Sequence, residues 1–194
     1  MKELQFLKME LLSKGRDDVI FFSEYFLGIK LNAYQRRYLR AWDKQILAVC
    51  GNQVGKTVAI SIKHIHRNFY KIYLDGDPEL LANAEYKTLN LSPISRQSKK
   101  AFQYVIDILT SSFTWVHEGK RYVNECKIGW FIVGQKEYQG KIFFSNNSEM
   151  NCVSTHQDKG ASIQGEQFGV ITYDEAPQSH HLKDELDARI FSRV

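Results

Sequence analysis

The chain has 194 residues, 43% of them hydrophobic and 25% charged, with a formal net charge of +4. That is enough chain for one domain with a full core. The proportions are those of a soluble globular protein, not of a disordered, fibrous or disulfide-stapled one. The mild positive charge is spread along the chain, so it permits nucleic-acid binding without arguing for it.

Cys50, Cys126 and Cys152 are far apart and lack CxxC spacing. They read as reduced thiols of a cytosolic protein. His64 and His66 diverge on a helix, and His180 and His181 are neighbours in a loop, so neither pair suggests a metal. Met1-Lys2-Glu3-Leu4 has no signal-peptide pattern. No apolar run approaches the roughly 20 residues that span a bilayer, and no membrane association is expected.

In chain order, Leu4, Leu7, Leu11 and Leu12 predict a helix over 3–13, ended by Gly15. Asp17 or Asp18 caps a second helix over Val19 to Phe26, which Gly28 ends. Asn32 is the expected N-cap of a third, with an apolar stripe of Leu31, Tyr34, Tyr38, Leu39 and Trp42. Residues 1–44 therefore form a helical segment, and 45–194 form the core of the molecule. Residues 45–49 predict a strand and 57–72 a helix. Thr88 to Leu91 is a short strand closed by Ser92-Pro93, and 94–110 is a helix. Residues 121–155 hold short β-like runs between Gly and Asn turns, and Gly169 to Tyr173 is another strand. Alternating strands and helices predict an α/β fold. Its central sheet is mostly parallel, flanked by helices on both faces, with the strand at 45–49 in the middle.

Two motifs carry chemistry. Cys50-Gly51-Asn52-Gln53-Val54-Gly55-Lys56-Thr57 stands between a predicted strand and a predicted helix. That is the setting of a phosphate-binding P-loop, whose amides and helix N-terminus face an anion. Lys56 would reach the β- and γ-phosphates of ATP, and the Thr57 hydroxyl would ligate Mg²⁺. The usual first glycine is replaced by Cys50, with Gly51 one place later. The second motif is Asp174-Glu175 at the C-terminal end of a strand, where α/β sheets place their ligands. Asp174 would hold Mg²⁺ opposite Thr57, and Glu175 would orient and deprotonate the attacking water. Gln35, some twenty residues before the loop, could offer an amide to the adenine edge. Tyr34 or Tyr38 could stack on the ring.

These pieces fall in an order that resembles one family. Leu31-x-x-Tyr34-Gln35 is followed by Gly51 to Thr57, then Leu89-Asn90-Leu91-Ser92-Pro93 with Arg96-Gln97. Ile163-Gln164-Gly165 then precedes Val170 to Ala176. The arrangement resembles the ATPase domain of the large terminase subunit of tailed bacteriophages. The resemblance implies a RecA-type P-loop NTPase with an additional strand and a catalytic glutamate. It implies an ATP-driven motor for viral genome packaging, moving double-stranded DNA into a procapsid. Its partners would be the portal protein and the small terminase subunit. It would be a homo-oligomer on the portal and a monomer when isolated, working in the host cytoplasm and absent from the mature virion. Complete members add a C-terminal nuclease domain and a coupling motif. Neither is expected within these residues, so the chain reads as an ATPase domain or its N-terminal core.

Many members carry an arginine where this chain has Asn52. A transition-state cation would then come from elsewhere, with Arg96, Arg121, Lys159 and Arg189 as candidates. Two alternatives share part of this logic. One is a superfamily 2 helicase-like translocase, although Asp174-Glu175-Ala176-Pro177 lacks the usual helicase ending. The other is a nucleotide-binding assembly domain with little turnover.

Overall fold

Helix α1 (Lys2–Asp17) runs straight through Gly15, where the sequence predicts a stop. The glycine serves a close approach instead. A Cβ there would lie 2.7 Å from the Phe26 ring, and the Gly15 carbonyl faces His66 Nε2 at 3.0 Å. The expected stripe is only partly used. Leu11 packs on the core, while Leu7 and Leu12 are 54% and 39% exposed. In the computed structural model, residues 2–41, 46, 48, 54–72, 85–117, 119–155 and 166–174 are described. The predicted strand at 45–49 and the boundary at residues 44 and 45 lie outside them or are only touched by them.

Asp18 caps α2 (Val19–Phe21), accepting from the amides of Ile20 and Phe21 at 2.9 and 3.3 Å. The chain continues as a π-helical turn, Phe22–Phe26, and leaves it through Gly28 at φ +69°. Helix α3 (Ala33–Arg40) begins with a full capping box between Asn32 and Gln35. Helix α4 (Lys56–Tyr70) is buried on nearly every side from Ala59 to Asn68. It lies between the N-terminal helices and the sheet.

Among the described residues the sheet has five strands in the order β4-β5-β6-β1-β7. They are β1 (Tyr86–Ser92), β4 (Ile132–Lys136), β5 (Lys141–Phe144), β6 (Ser148–Ser154) and β7 (Val170–Tyr173). Strand β1 is parallel to both β6 and β7, whereas β4–β5 and β5–β6 are antiparallel. Among the described residues the sheet is therefore mixed, with two parallel and two antiparallel pairings. The reason is local: the tight turns at Glu137–Gly140 and Ser145–Asn147 join neighbours too directly for a parallel crossover. Helix α5 (Ser95–Leu109) carries the chain from β1 toward β6. An unforeseen hairpin follows it, β2 (Thr114–His117) and β3 (Lys120–Val123), paired Trp115 to Tyr122.

Among the described residues, α4 and α5 lie side by side on one sheet face. Their apolar residues merge with Phe22, Leu39, Phe131, Ile142, Phe144 and Met150 in one cluster. The N-terminal helices thus share the core of the α/β part. The opposite face holds a smaller cluster, Leu89 and Leu91 with Val153, Phe168, Ile171 and Tyr173. Beside it, Lys87 Nζ sits 3.2 Å from both Glu85 and Glu166.

Candidate functional site

Helix α4 starts at the glycine of the Gly-Lys-Thr run. Gly55 is its N-cap, at φ +81° and ψ 31°. A residue with a Cβ rarely adopts that left-handed geometry, and here a Cβ would also collide with the Gln35 amide. Lys56 and Thr57 form the first turn, which contains no acidic residue. Unpaired amides at a helix start favour an anion, and nothing in that turn opposes one.

On the sheet side, β7 delivers Asp174 to the same place. Its amide donates to the Leu91 carbonyl at 2.8 Å, extending the β1–β7 pairing by one step. The Asp174 carboxylate is 6% exposed and accepts from the Thr57 hydroxyl, with Thr57 Oγ1 to Asp174 Oδ2 at 3.1 Å. Two residues 117 positions apart therefore meet where the sequence places both metal ligands. An anionic carboxylate beside a hydroxyl is a hard-oxygen donor pair, which suits Mg²⁺.

The third wall comes from α3. Asn32 Oδ1 accepts from the Gln35 amide at 2.9 Å, and Gln35 Oε1 accepts from the Asn32 amide at 3.0 Å. The other end of each side chain reaches the loop. Asn32 Nδ2 donates to the Val54 carbonyl at 3.2 Å, and Gln35 Nε2 to the Gly55 carbonyl at 3.1 Å. One capping box thus starts one helix and holds the start of the next. Gln35 is 8% exposed, so it is a buried connector and not a solvated helix residue. Tyr38, one turn on, is pushed up in pKa, first by burial and then by Tyr34 and the Asp174 carboxylate. Lys63 Nζ stands 4.8 Å over its ring and donates to the Ala41 carbonyl at 3.3 Å.

The structure brings together Gln35, Val54, Gly55, Lys56, Thr57 and Asp174. Gly51, Asn52, Gln53 and Glu175 lie outside the described residues, as do Lys159 and Arg189. Arg96 is exposed in the first turn of α5, at the sheet end where Asp174 sits. Arg121 is on the exposed β2–β3 hairpin, beyond the far end of α5. His64 and His66 go to separate partners, Thr172 and the Gly15 carbonyl, and burial pushes both down to about 3. Cys126 and Cys152 are free thiols. Asn32 was legible as a cap but not as a loop anchor, because its second bond depends on a helix placed by tertiary packing. Among the described residues no helix is long and apolar enough to cross a membrane. The chain matches no family model, and no curated protein matches it.

Proposed function

We propose that this chain is a P-loop ATPase whose site is built on Gly55, Lys56, Thr57 and Asp174. The observation that carries the reading is the Thr57–Asp174 contact at 3.1 Å, at the start of α4 and the end of β7. A hydroxyl in the first turn after a left-handed glycine, facing a buried carboxylate on a neighbouring strand, is what Mg²⁺-nucleotide binding asks for.

In this reading the α4 amides and Lys56 bind the phosphates, and Thr57 and Asp174 hold Mg²⁺. The metal, when bound, neutralises charge on the β- and γ-phosphates. Gln35 and Asn32 keep the loop carbonyls turned toward α3, which leaves the loop amides to the ligand. Glu175 follows Asp174 directly and takes the role of base toward the attacking water. With the N-terminal helices and the motif order, the reading extends to a terminase-type motor that moves double-stranded DNA. Basic side chains would contact phosphates without reading sequence.

ATP turnover by the purified chain, with and without duplex DNA, tests this. Lys56→Ala is expected to lower turnover by about 100-fold or more. Glu175→Gln should bind nucleotide while turning it over at a comparably low rate. Unchanged turnover in Lys56→Ala would end the ATPase reading, and unchanged turnover in Glu175→Gln would remove the base. Stimulation by duplex DNA without strand separation would favour the motor over a helicase.

A further inference from the structure

Where α4 faces β1 and β7, the interface with the sheet carries a line of polar contacts. Asn68 Nδ2 donates to Thr88 Oγ1 at 2.7 Å. One turn nearer the site, His64 Nε2 lies 2.7 Å from Thr172 Oγ1. The Thr172 hydroxyl donates in turn to Asn90 Oδ1 at 2.8 Å. Between these and the site, Ser61 Oγ bonds within α4 to the Thr57 carbonyl at 2.9 Å, and the last rung to the sheet is Thr57 to Asp174. His64, Asn68, Thr88 and Asn90 are fully buried, and Thr172 is nearly so.

The spacing gives these rungs one meaning. Thr57 and His64 are two helical turns apart, so they share a face of α4. Thr172 and Asp174 are two residues apart, so they share a face of the strand end. The bond from His64 to Thr172 therefore runs alongside the contact from Thr57 to Asp174, on the same helix and the same strand. Thr172 has one hydrogen, and Asn90 receives it, so Thr172 accepts from a protonated Nε2 of neutral His64. A single hydroxyl thus joins β7 to its neighbour β1 and to the helix that carries Thr57. Strand β7 pairs with β1 over Val170 to Tyr173, with one further backbone bond at each end, and among these described contacts the Thr172 tie also reaches α4.

We infer that Thr172 is a positioning residue: through His64 and Asn90 it sets the height of β7 against α4, and so places the Asp174 carboxylate on Thr57. The metal consequence rests on the ATPase reading, but the placement itself does not.

Two measurements on the intact chain separate these. The first is amide hydrogen exchange at Asp174 without nucleotide. Thr172→Val keeps the shape and removes the hydroxyl, and Thr172→Ser keeps the hydroxyl. Exchange at Asp174 should speed about tenfold in Thr172→Val and stay near wild type in Thr172→Ser. Asn68→Ala cuts a rung that does not reach β7 and serves as the control for general loosening. It should leave the Asp174 amide within about twofold of wild type, after any change in global unfolding is subtracted.

The second is the Mg²⁺ concentration that half-saturates binding of a fluorescent ATP analogue, expected to rise at least about fivefold in Thr172→Val alone. Equal exchange at Asp174 in wild type and Thr172→Val overturns the inference, as does an equal effect from Asn68→Ala. Faster exchange with an unchanged Mg²⁺ requirement also overturns the claim that the placement serves the metal. Faster exchange in a chain whose wild type binds no Mg²⁺-nucleotide leaves the placement standing and rejects the ATPase reading.

Discussion

The two long sides of α4 are built on opposite terms. Toward the N-terminal helices it presents rings. Phe22 packs 5.0 Å from His66, and 5.6 Å from both Phe69 and Tyr70, and Phe69 goes on to Phe131 at 5.0 Å. Toward β1 and β7 it presents His64 and Asn68, each hydrogen-bonded to a threonine. The aromatic side is stabilised by area, which tolerates small slips. The polar side is directional, and a slip of one residue leaves buried donors and acceptors unpaired at real cost. The helix gets its stability mainly from one side and its register from the other, and the candidate site lies at the end of the registering side.

Removing a ring should show the contrast most strongly. Phe22→Ala deletes a fully buried side chain and is expected to cost about 3–5 kcal/mol in denaturant unfolding. Relative protection of the Thr57 and Asp174 amides should be retained among molecules that remain folded. Greater loosening at the polar seam than at Phe69 would reverse the division of labour.

Acid attacks both sides at once, because His64 lies on the polar side and His66 on the aromatic side. Burial is the first cause of both low values, and both are held near 3 against an unfolded value of 6.5. The unfolded chain therefore takes up these protons first. The stabilisation is complete above about pH 6.5 and declines toward pH 3, by up to about 1.4 kcal/mol per pH unit for each histidine. Unfolding midpoints between pH 7 and pH 5 should fall accordingly, and His66→Gln should flatten the slope by about one proton. An unchanged slope would mean that His66 titrates normally in the folded chain.

The smallest effect is expected at the third wall. Asn32→Ala removes the α3 cap and the bond to the Val54 carbonyl, for about 1 kcal/mol of stability. Its signature is local, with faster amide exchange around Gly55 than around Asn68. Uniform loosening would show that the capping box stabilises α3 without anchoring the loop.

What could be read from sequence follows from how local each determinant is. The start of α4 is legible because a glycine, a lysine and a hydroxyl residue in succession act on their own backbone. Asp18 and Asn32 are legible as caps for the same reason. Gly15 reads as a helix stop in the sequence because the Phe26 ring and the Tyr70 hydroxyl, which leave no room for a Cβ there, arrive from other elements. Strand directions depend on the turns at Glu137–Gly140 and Ser145–Asn147, which composition does not distinguish from longer connections. The polar seam was hidden for a subtler reason. Thr88, Asn90 and Ser92 alternate with Leu89 and Leu91, the usual sign of one strand face in water, yet all five are buried. A polar alternation fits a solvated face and a hydrogen-bonded interior equally well.

The contact between Thr57 and Asp174 closes 117 residues of chain. Bringing two points that far apart together costs about 4 kcal/mol of chain entropy. A hydrogen bond to a charged group returns only about 1.5–3 kcal/mol. The bond cannot have assembled the site; the β1–β7 ladder and the buried faces of α4 do that. A ligand that takes over the hydroxyl or the carboxylate therefore spends little of the fold's stability. The two groups can part and meet again while the architecture around them stays closed, as the proposed turnover would require.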